Sequence, residues 1–346
     1  PYQIFTCTGT GVVHFPGQGP VQPNPIWFGA DPTGVADSTA AFQAAFNSVM
    51  WDTPSYPDMV TSVRLSDGGY LITDTIQTGA VGIIGNHYLT TKLISSAAGP
   101  TLQTRDDAKQ WPTQGFYTKW SDFFIDARTS TYAGPVIDQY QGGSGKFYRI
   151  KIYAPNIAGA IGWYVRSYNV TQPTPAMNVN HGYWEGCNVI GTYGTLLYGW
   201  KVGDTDSPIN CNHQTFVNCN ITGFPKAGWR MMGQGISWYG CQSEALVVSN
   251  AVVSYTAILW GANSYDSSWI SGYGEGSLHF LVLGSTSRKP LQIVASHGNL
   301  ADATRKFDPT YWSIDWYESG ATNNYAASST YYTDATGVFD SGAAAA

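Results

Sequence analysis

The stretch "FGADPTGVADSTAAFQAAF", from Phe28 to Phe46, places a loop of Gly, Asp, Pro and Thr directly before an Ala-rich run. Asp37 is a residue type that often starts helices, and good helix formers follow it. The large apolar residues of the run recur at helical spacing and form one stripe: Phe42, Phe46 and Val49. The stretch therefore predicts a short amphipathic helix, near residues 38–50, that covers a large apolar surface.

The loop in this stretch also has features of a ligand site. Gly29 and Gly34 have the spacing of a phosphate-binding loop, but Val and Ala follow where that loop needs Lys and Ser or Thr. Asp31 and Asp37 are carboxylates of the kind that bind calcium, but the loop sequence holds no third acid. Starting a helix is therefore the favoured role, and we expect no cofactor and no metal ion.

The composition indicates a large core and a polar but weakly charged surface. Of 346 residues, 43% are apolar and 12% are charged, and the net charge is −6. The 13 Trp and 23 Tyr residues suit a surface that contacts sugars. The net acidity disfavours polyanionic partners, and the absence of a basic run argues against nucleic-acid binding. No run of about 18 apolar residues predicts a membrane span.

A repeated unit occupies the middle of the chain, with the pattern apolar-x-x-apolar-x-apolar. Its five copies are Trp120-Phe123-Ile125, Phe147-Ile150-Ile152, Trp184-Cys187-Val189, Phe216-Cys219-Ile221 and Trp238-Cys241-Ser243. The first residues of successive copies are 27, 37, 32 and 22 positions apart. The shortest spacing is about one coil of a solenoid, and the longer ones predict insertions that form loops on a binding face. The three-residue step predicts a bend between two short strands, with both flanking apolar residues pointing inward.

The number and positions of the cysteines predict buried free thiols rather than disulfide bonds. Five Cys residues are an odd number, so a complete set of intramolecular disulfides is impossible. Cys187, Cys219 and Cys241 occupy the same place in the repeat, which predicts a ladder of buried thiols. The chain begins at Pro1 rather than Met, which predicts a processed or partial chain.

Three segments in order resemble a known family. Phe28–Phe46 resembles the opening motif of the pectate-lyase-3 type of right-handed parallel β-helix, in the pectin-lyase-like superfamily. "SVRLSDGGYLITDTI" (Ser62–Ile76) is similar to that family's V-x-L-P-x-G-x-Y-x-I segment, although Ser66 replaces Pro. "VGIIGNHYLTTKLIS" (Val81–Ser95) is similar to the I-x-G-x-G…T-x-I segment, with His87 in place of the second Gly. The three segments cover about 70 of the 346 residues.

The resemblance implies an all-β fold: a single-stranded right-handed parallel β-helix with a short N-terminal capping α-helix. We predict an N-terminal extension or linker at residues 1–27, the β-helix domain at 28–305, and an irregular C-terminal tail or cap at 306–346.

Glycoside hydrolysis needs two carboxyl groups, and acidic residues occur on and between the middle coils. The predicted catalytic pair is drawn from Glu185, Asp204, Asp206 and Glu244. Nearby aromatic residues predicted to stack on sugar rings are Trp200, Trp229 and Tyr239. Structural roles remain open for all these acids, since a coil Glu can be plain surface and Asp-x-Asp forms turns. Glu275, between two glycines, is interpreted as a turn, and a role as an exposed catalytic residue stays open. The residues after each ladder cysteine are interpreted as an amide ladder: Asn188, Asn220 and Gln242.

Related chemistries fit the sequence less well. The polygalacturonases of this fold carry N-T-D, D-D, G-H-G and R-I-K in that order, whereas Arg149–Lys151 here precedes both H-G pairs. A pectate lyase needs a calcium-binding acid cluster, which the sequence lacks. Hydrolysis is therefore favoured over a lyase reaction.

Resemblance to tailspikes implies a receptor-binding protein, extracellular on a virion tail, that binds and hydrolyses a host surface polysaccharide. It also implies a homotrimer, with other virion tail proteins as partners. Two alternatives stay open: a secreted microbial glycanase similar to the exo-β-1,3-glucanases, and a virion structural or adhesin protein without catalysis.

Overall fold

The computed structural model describes residues 22–49, 62–79, 81–104, 118–140, 145–166, 181–191, 195–203, 211–223, 227–231 and 235–244, with shorter stretches up to residue 339. Within these ranges the chain forms short strands, a 3₁₀ turn (Pro25–Phe28) and the helix α1 (Thr39–Asn47). The strands, numbered in chain order, belong to three sheets.

Sheet 1 begins each coil. It contains β2 (Ser62–Arg64), β5 (Gly82–Ile84), β8 (Lys119–Ser121), β11 (Lys146–Tyr148), β14 (Tyr183–Glu185), β17 (Thr215–Val217), β20 (Ser237–Tyr239), β23 (Ser267–Ile270), β26 (Lys289–Val294), β29 (Trp312–Tyr317) and β30 (Ser329–Thr330).

Sheet 2 follows sheet 1 after a tight bend. It contains β1 (Thr33–Asp37), β3 (Gly68–Ile72), β6 (Thr91–Ser95), β9 (Phe124–Asp126), β12 (Lys151–Tyr153), β15 (Asn188–Ile190), β18 (Asn220–Thr222), β21 (Gln242–Glu244), β24 (Tyr273–Glu275) and β27 (His297–Asn299).

Sheet 3 completes the coil. It contains β4 (Ile76–Gln77), β7 (Leu102–Gln103), β10 (Pro135–Tyr140), β13 (Ala160–Arg166), β16 (Leu196–Val202), β19 (Ala227–Met231), β22 (Tyr255–Trp260), β25 (His279–Gly284), β28 (Arg305–Lys306) and β31 (Val338–Phe339).

The chain visits the three sheets in turn, and each strand pairs in parallel with its counterpart on the next coil, as in β11 with β14 and β12 with β15. This arrangement confirms the predicted parallel β-helix. Antiparallel pairing occurs in the described residues at β28–β31 and β29–β30.

The sequence repeat corresponds to one bend and its two flanking strands. The first residues of the five copies are register partners in sheet 1, from Trp120 through Trp184 to Trp238. The residue after each of the six strands β8, β11, β14, β17, β20 and β23 has a left-handed backbone, with φ between 49° and 64°: Asp122, Arg149, Gly186, Asn218, Gly240 and Ser271. This conformation turns the chain so that the next residue, such as Phe123 or Ile150, is buried. The predicted bend is therefore confirmed.

The thiol ladder is also confirmed. Cys187, Cys219 and Cys241 are buried free cysteines on consecutive coils. The Sγ of Cys219 donates to the carbonyl oxygen of Trp184 at 3.6 Å, and the Sγ of Cys241 donates to that of Phe216 at 3.4 Å. Burial, together with hydrogen bonds to the thiols of Cys187 and Cys241, raises the pKa of Cys219 well above its ordinary value.

Helix α1 closes the first coil, as its apolar stripe predicts. Phe42 and Phe46 are fully buried, and the ring of Phe42 meets the ring of Tyr70 edge-on at 5.2 Å. Gln43 binds the open edge of sheet 3, because its Oε1 accepts from the Gln77 backbone N–H at 2.8 Å and its Nε2 donates to the Gln77 carbonyl at 3.0 Å. Burying and pairing this end protects the solenoid from edge-to-edge association.

The opening loop forms a turn held by its own hydrogen bonds. The Asp31 carboxylate accepts hydrogen bonds from the backbone N–H groups of Ala36 and Thr33, at 2.8 and 3.0 Å. Ser38 is the helix N-cap residue, and its Oγ accepts from the Asp31 N–H. Asp37 assists by accepting from the Thr39 N–H at 3.0 Å. The helix therefore begins at Thr39, within the predicted range, and ends three residues before its predicted limit.

Regular strands occur beyond residue 305, where an irregular tail was predicted. Sheet 1 continues through β29, which pairs in parallel with β26.

In the described part of the chain, no helix is long and apolar enough to cross a membrane.

Candidate functional site

Two columns of register positions run along sheet 2, one on each side of the middle residue of every strand. In β18 and β21 the middle residue, Ile221 or Ser243, points into the core, and its two neighbours lie on the outer face. By backbone register the first column contains the positions of Asn220, Gln242, Tyr273 and His297, and the second those of Thr222, Glu244, Glu275 and Asn299.

The second column contains a pair of acids. Glu244 of β21 and Glu275 of β24 are direct register partners on neighbouring coils. Neighbouring strands are about 4.8 Å apart, so the two backbone positions have about that separation. Like charges placed directly opposite each other destabilise a sheet, so fold stability does not explain this pairing.

Polar groups adjoin Glu244. The Nε2 of Gln242 donates a hydrogen bond to the Glu244 Oε1, which orients that carboxylate. Thr222 precedes Glu244 in its column, and Asn220 precedes Gln242. Hydroxyl and amide groups both donate and accept hydrogen bonds, which suits a ligand rich in hydroxyl groups.

Glu275 was missed as a partner of Glu244, because its flanking glycines were interpreted as a turn. It is the last residue of strand β24, so the turn prediction was wrong. A signal was present in the sequence: Glu275 is six residues after Trp269, just as Glu244 is six residues after Trp238. Trp238 and Trp269 are register partners in sheet 1, so Trp269 occupies the first position of the repeat on the next coil, although glycines follow at the other two positions.

Glu185 lies on a different surface from Glu244. It ends strand β14 on sheet 1, whereas Glu244 lies on sheet 2 two coils further along, with one coil between them. Its Oε2 accepts a hydrogen bond from the Tyr183 hydroxyl at 3.0 Å. Burial and this hydrogen bond raise the pKa of Tyr183 to about 12. The structure therefore does not bring the two predicted coil glutamates together.

The other predicted acids, Asp204 and Asp206, lie outside the described residues. The predicted amide ladder does follow strand register, with Asn188, Asn220 and Gln242 as partners on consecutive coils. No group of three or more potential metal-ligating side chains occurs in the part of the chain that the structure describes.

The proposed sugar-stacking roles of Trp200 and Trp229 require correction. Both indoles are completely buried and stack on each other inside the solenoid, with ring centroids 6.0 Å apart. Each is followed by a cation, Lys201 or Arg230, and alternation along the strand places the indole on the opposite face from that cation, towards the core. Tyr239 is different, because it is 40% exposed on the outer face of sheet 1.

Comparisons with known proteins support the fold. No protein-family model and no curated protein matches the chain. Among solved structures, it is similar to ORF18 of Geobacillus virus E2, with a TM-score of 0.58 and 14% identity over 88% of this chain and 62% of that one. It is also similar to the gp42 tailspike of Acinetobacter phage vb_AbaP_AS12, with a TM-score of 0.61 and 13% identity over 87% of this chain and 51% of that one.

A third similar structure is the catalytic domain of GH87 α-1,3-glucanase in complex with nigerose. Its TM-score is 0.50 and its identity is 12%, over 87% of this chain and 49% of that one. This chain therefore spans about half to three fifths of the length of these proteins. What they share with it is the fold.

Proposed function

We propose that this chain is a phage tailspike-like, receptor-binding protein that binds and hydrolyses a polysaccharide of the host surface, with Glu244 and Glu275 as its catalytic carboxyl groups. The observation that carries the proposal is the direct pairing of these two residues on neighbouring coils. Similarity in fold to a phage tailspike and to a glucanase supports a polysaccharide ligand. In this proposal the protein is extracellular on a virion tail and forms a homotrimer.

The spacing of the pair suits glycoside hydrolysis. One carboxyl group protonates the leaving oxygen, and the second acts as nucleophile or general base. Retaining enzymes hold the two groups about 5–5.5 Å apart, whereas inverting enzymes need about 6.5–9.5 Å to admit a water molecule. Backbone positions about 4.8 Å apart favour the shorter separation, so we expect retention of the anomeric configuration. Gln242 would hold the Glu244 carboxylate in place during the reaction.

The test is a screen of the purified protein against bacterial surface polysaccharides. New reducing ends, without the unsaturated sugars that a lyase produces, are the expected products. On a cleaved polysaccharide, Glu244→Gln and Glu275→Gln should each lower kcat by at least about 100-fold, the usual scale for losing an acid or base. Asp74→Asn removes an exposed carboxylate at the end of β3 and should leave the rate unchanged.

Glu185→Gln tests whether the catalytic site lies instead on sheet 1, where Glu185 ends strand β14. A loss of activity in this variant equal to that of the other two would place the chemistry on sheet 1 and contradict the proposal. Full activity of Glu244→Gln and Glu275→Gln would also contradict it. Glycan binding by all variants without any cleavage by the wild-type protein would support the adhesin alternative instead.

A further inference from the structure

Positive charge is concentrated in one part of this acidic protein. Nine of the 17 Lys and Arg residues, but five of the 23 Asp and Glu residues, lie between residues 92 and 166. That segment therefore carries a charge of +4, while the remainder of the chain carries −10. A ligand responds to the local field rather than to the net charge, so the net acidity does not exclude an anionic substrate.

Part of this charge lies on the outer face of sheet 2, on the same face as Glu244. We name this group the basic cluster, and its members are Lys92, Phe124, Asp126, Arg128, Lys151 and Tyr153. Lys92, Phe124 and Lys151 are register partners on three consecutive coils, and Asp126 and Tyr153 are partners in the neighbouring column.

One carboxylate in the basic cluster binds two of the three cations. Asp126 accepts from the Lys92 Nζ at 2.8 Å and from the Arg128 Nη2 at 2.7 Å. Asp126 itself is only 6% exposed, whereas the side chains of Lys92 and Arg128 are 30% and 52% exposed. Both cations therefore keep surface that a ligand can reach.

Lys151 is held in place without being neutralised. Its Nζ lies 4.9 Å from the ring centroid of Tyr153 and 5.8 Å from that of Phe124. These rings meet edge-on at 4.9 Å, which fixes their positions. No carboxylate among the described residues forms an ion pair with Lys151, so the cluster has three cations and one anion. Cation–π contacts orient an ammonium group but leave its charge available to an anion.

We propose that the basic cluster binds a carboxylated sugar, such as a uronate, of the same glycan that is cleaved at Glu244 and Glu275. Lys151 is the main contact, and Lys92 and Arg128 assist it. The column from Tyr153 runs through Ile190 and Thr222 to Glu244, a span of three coils or about 14 Å. The inference rests on the proposed function for the site of cleavage, and it defines the substrate class as an acidic polysaccharide bound along the solenoid axis.

The test measures binding without turnover, using Glu244→Gln protein titrated with polygalacturonate and alginate fragments and with a neutral glucan of equal length. The uronate fragments should bind, and adding Lys151→Gln should weaken their binding by about 10-fold, as expected for losing one charge-assisted contact. Lys146→Gln is the matched control, because Lys146 has the same charge and lies in the same basic segment, but on sheet 1. It should change the affinity by less than about 2-fold.

Three results would overturn the inference: no binding of either uronate polymer, equal losses in the two lysine variants, or tighter binding of single-stranded DNA than of the uronates. Uronate binding that depends on Lys151, in a protein that cleaves no polysaccharide, would support this inference while the proposed catalysis fails.

Discussion

At the scale of single residues, Asp126 is the clearest case of a carboxylate whose ionisation is coupled to folding. Burial by itself would raise its pKa, but hydrogen bonds from Arg128 and Lys92 outweigh burial and lower the pKa to about 2. The ordinary value in an unfolded chain is about 3.9. The stabilisation is therefore fully present above pH 4 and is lost as the pH falls towards 2.

We predict that Asp126→Asn lowers the free energy of unfolding by about 1–3 kcal/mol at pH 6, because a shift of about two pKa units corresponds to that scale. At pH 2 the carboxyl group is about half protonated in the folded wild-type protein and almost fully protonated in the unfolded chain, so most of the difference between the two proteins should be lost. Urea denaturation at both pH values measures it. Asp74→Asn serves as the control, and a constant difference for Asp126→Asn across this pH range would contradict the prediction.

At the scale of elements, the strands are held by aromatic columns inside the solenoid. Sheet 3 contributes Trp163, Trp200 and Trp229, whose rings stack in succession. Sheet 1 contributes a second column, in which Trp184 and Phe216 stack at 4.8 Å. Rings of this size bury large apolar areas, so these columns supply much of the energy that holds one coil to the next.

We predict that Trp200→Ala lowers the free energy of unfolding by about 3–5 kcal/mol, the usual cost of removing a buried large aromatic side chain. Glycan affinity of the folded fraction should stay unchanged, because the indole has no exposed surface. Denaturation and binding assays on the same samples separate the two effects. Tyr239→Ala, at an exposed aromatic residue, should cost about 0.5 kcal/mol or less in stability. Loss of binding by Trp200→Ala without loss of stability would contradict this prediction.

At the scale of the whole molecule, the solenoid encloses thiols over consecutive coils. Cys187, Cys219 and Cys241 are completely or almost completely buried, as is Cys211. A thiol reacts through its thiolate, and burial disfavours the thiolate as well as blocking access. Exposure of these groups therefore requires the coils around them to open.

We predict that iodoacetamide leaves these four cysteines unmodified in the native protein and modifies them once urea unfolds it. Mass spectrometry of peptides at increasing urea concentrations follows each site, and the three ladder cysteines should become reactive together because their coils share one core. Tyr239→Cys provides an exposed thiol as a positive control. Rapid modification of Cys219 under native conditions would contradict the buried ladder.

Much of the fold could be predicted from the sequence because its signals are local. The bend and its flanking strands recur as a short pattern, and the inward positions from Trp120 to Trp238 follow directly from it. Sheet 3 had a weaker signal. Each of Trp163, Trp200 and Trp229 lies two residues before an apolar residue, yet these pairs lie outside the repeat that was found. Trp200 and Trp229 were therefore predicted on the outer face of their strands, whereas both point into the core.

The sequence alone determined that this chain winds into coils and which residues of the repeat face inward, because alternation along a strand depends only on neighbouring residues. Only the tertiary structure decided which outward residues meet. Trp238 and Trp269 are 31 residues apart, whereas Phe216 and Trp238 are 22 apart, so column partners do not follow from a constant spacing. Hydrogen bonding between coils sets the register despite insertions of different length, and that register makes Glu244 and Glu275 neighbours.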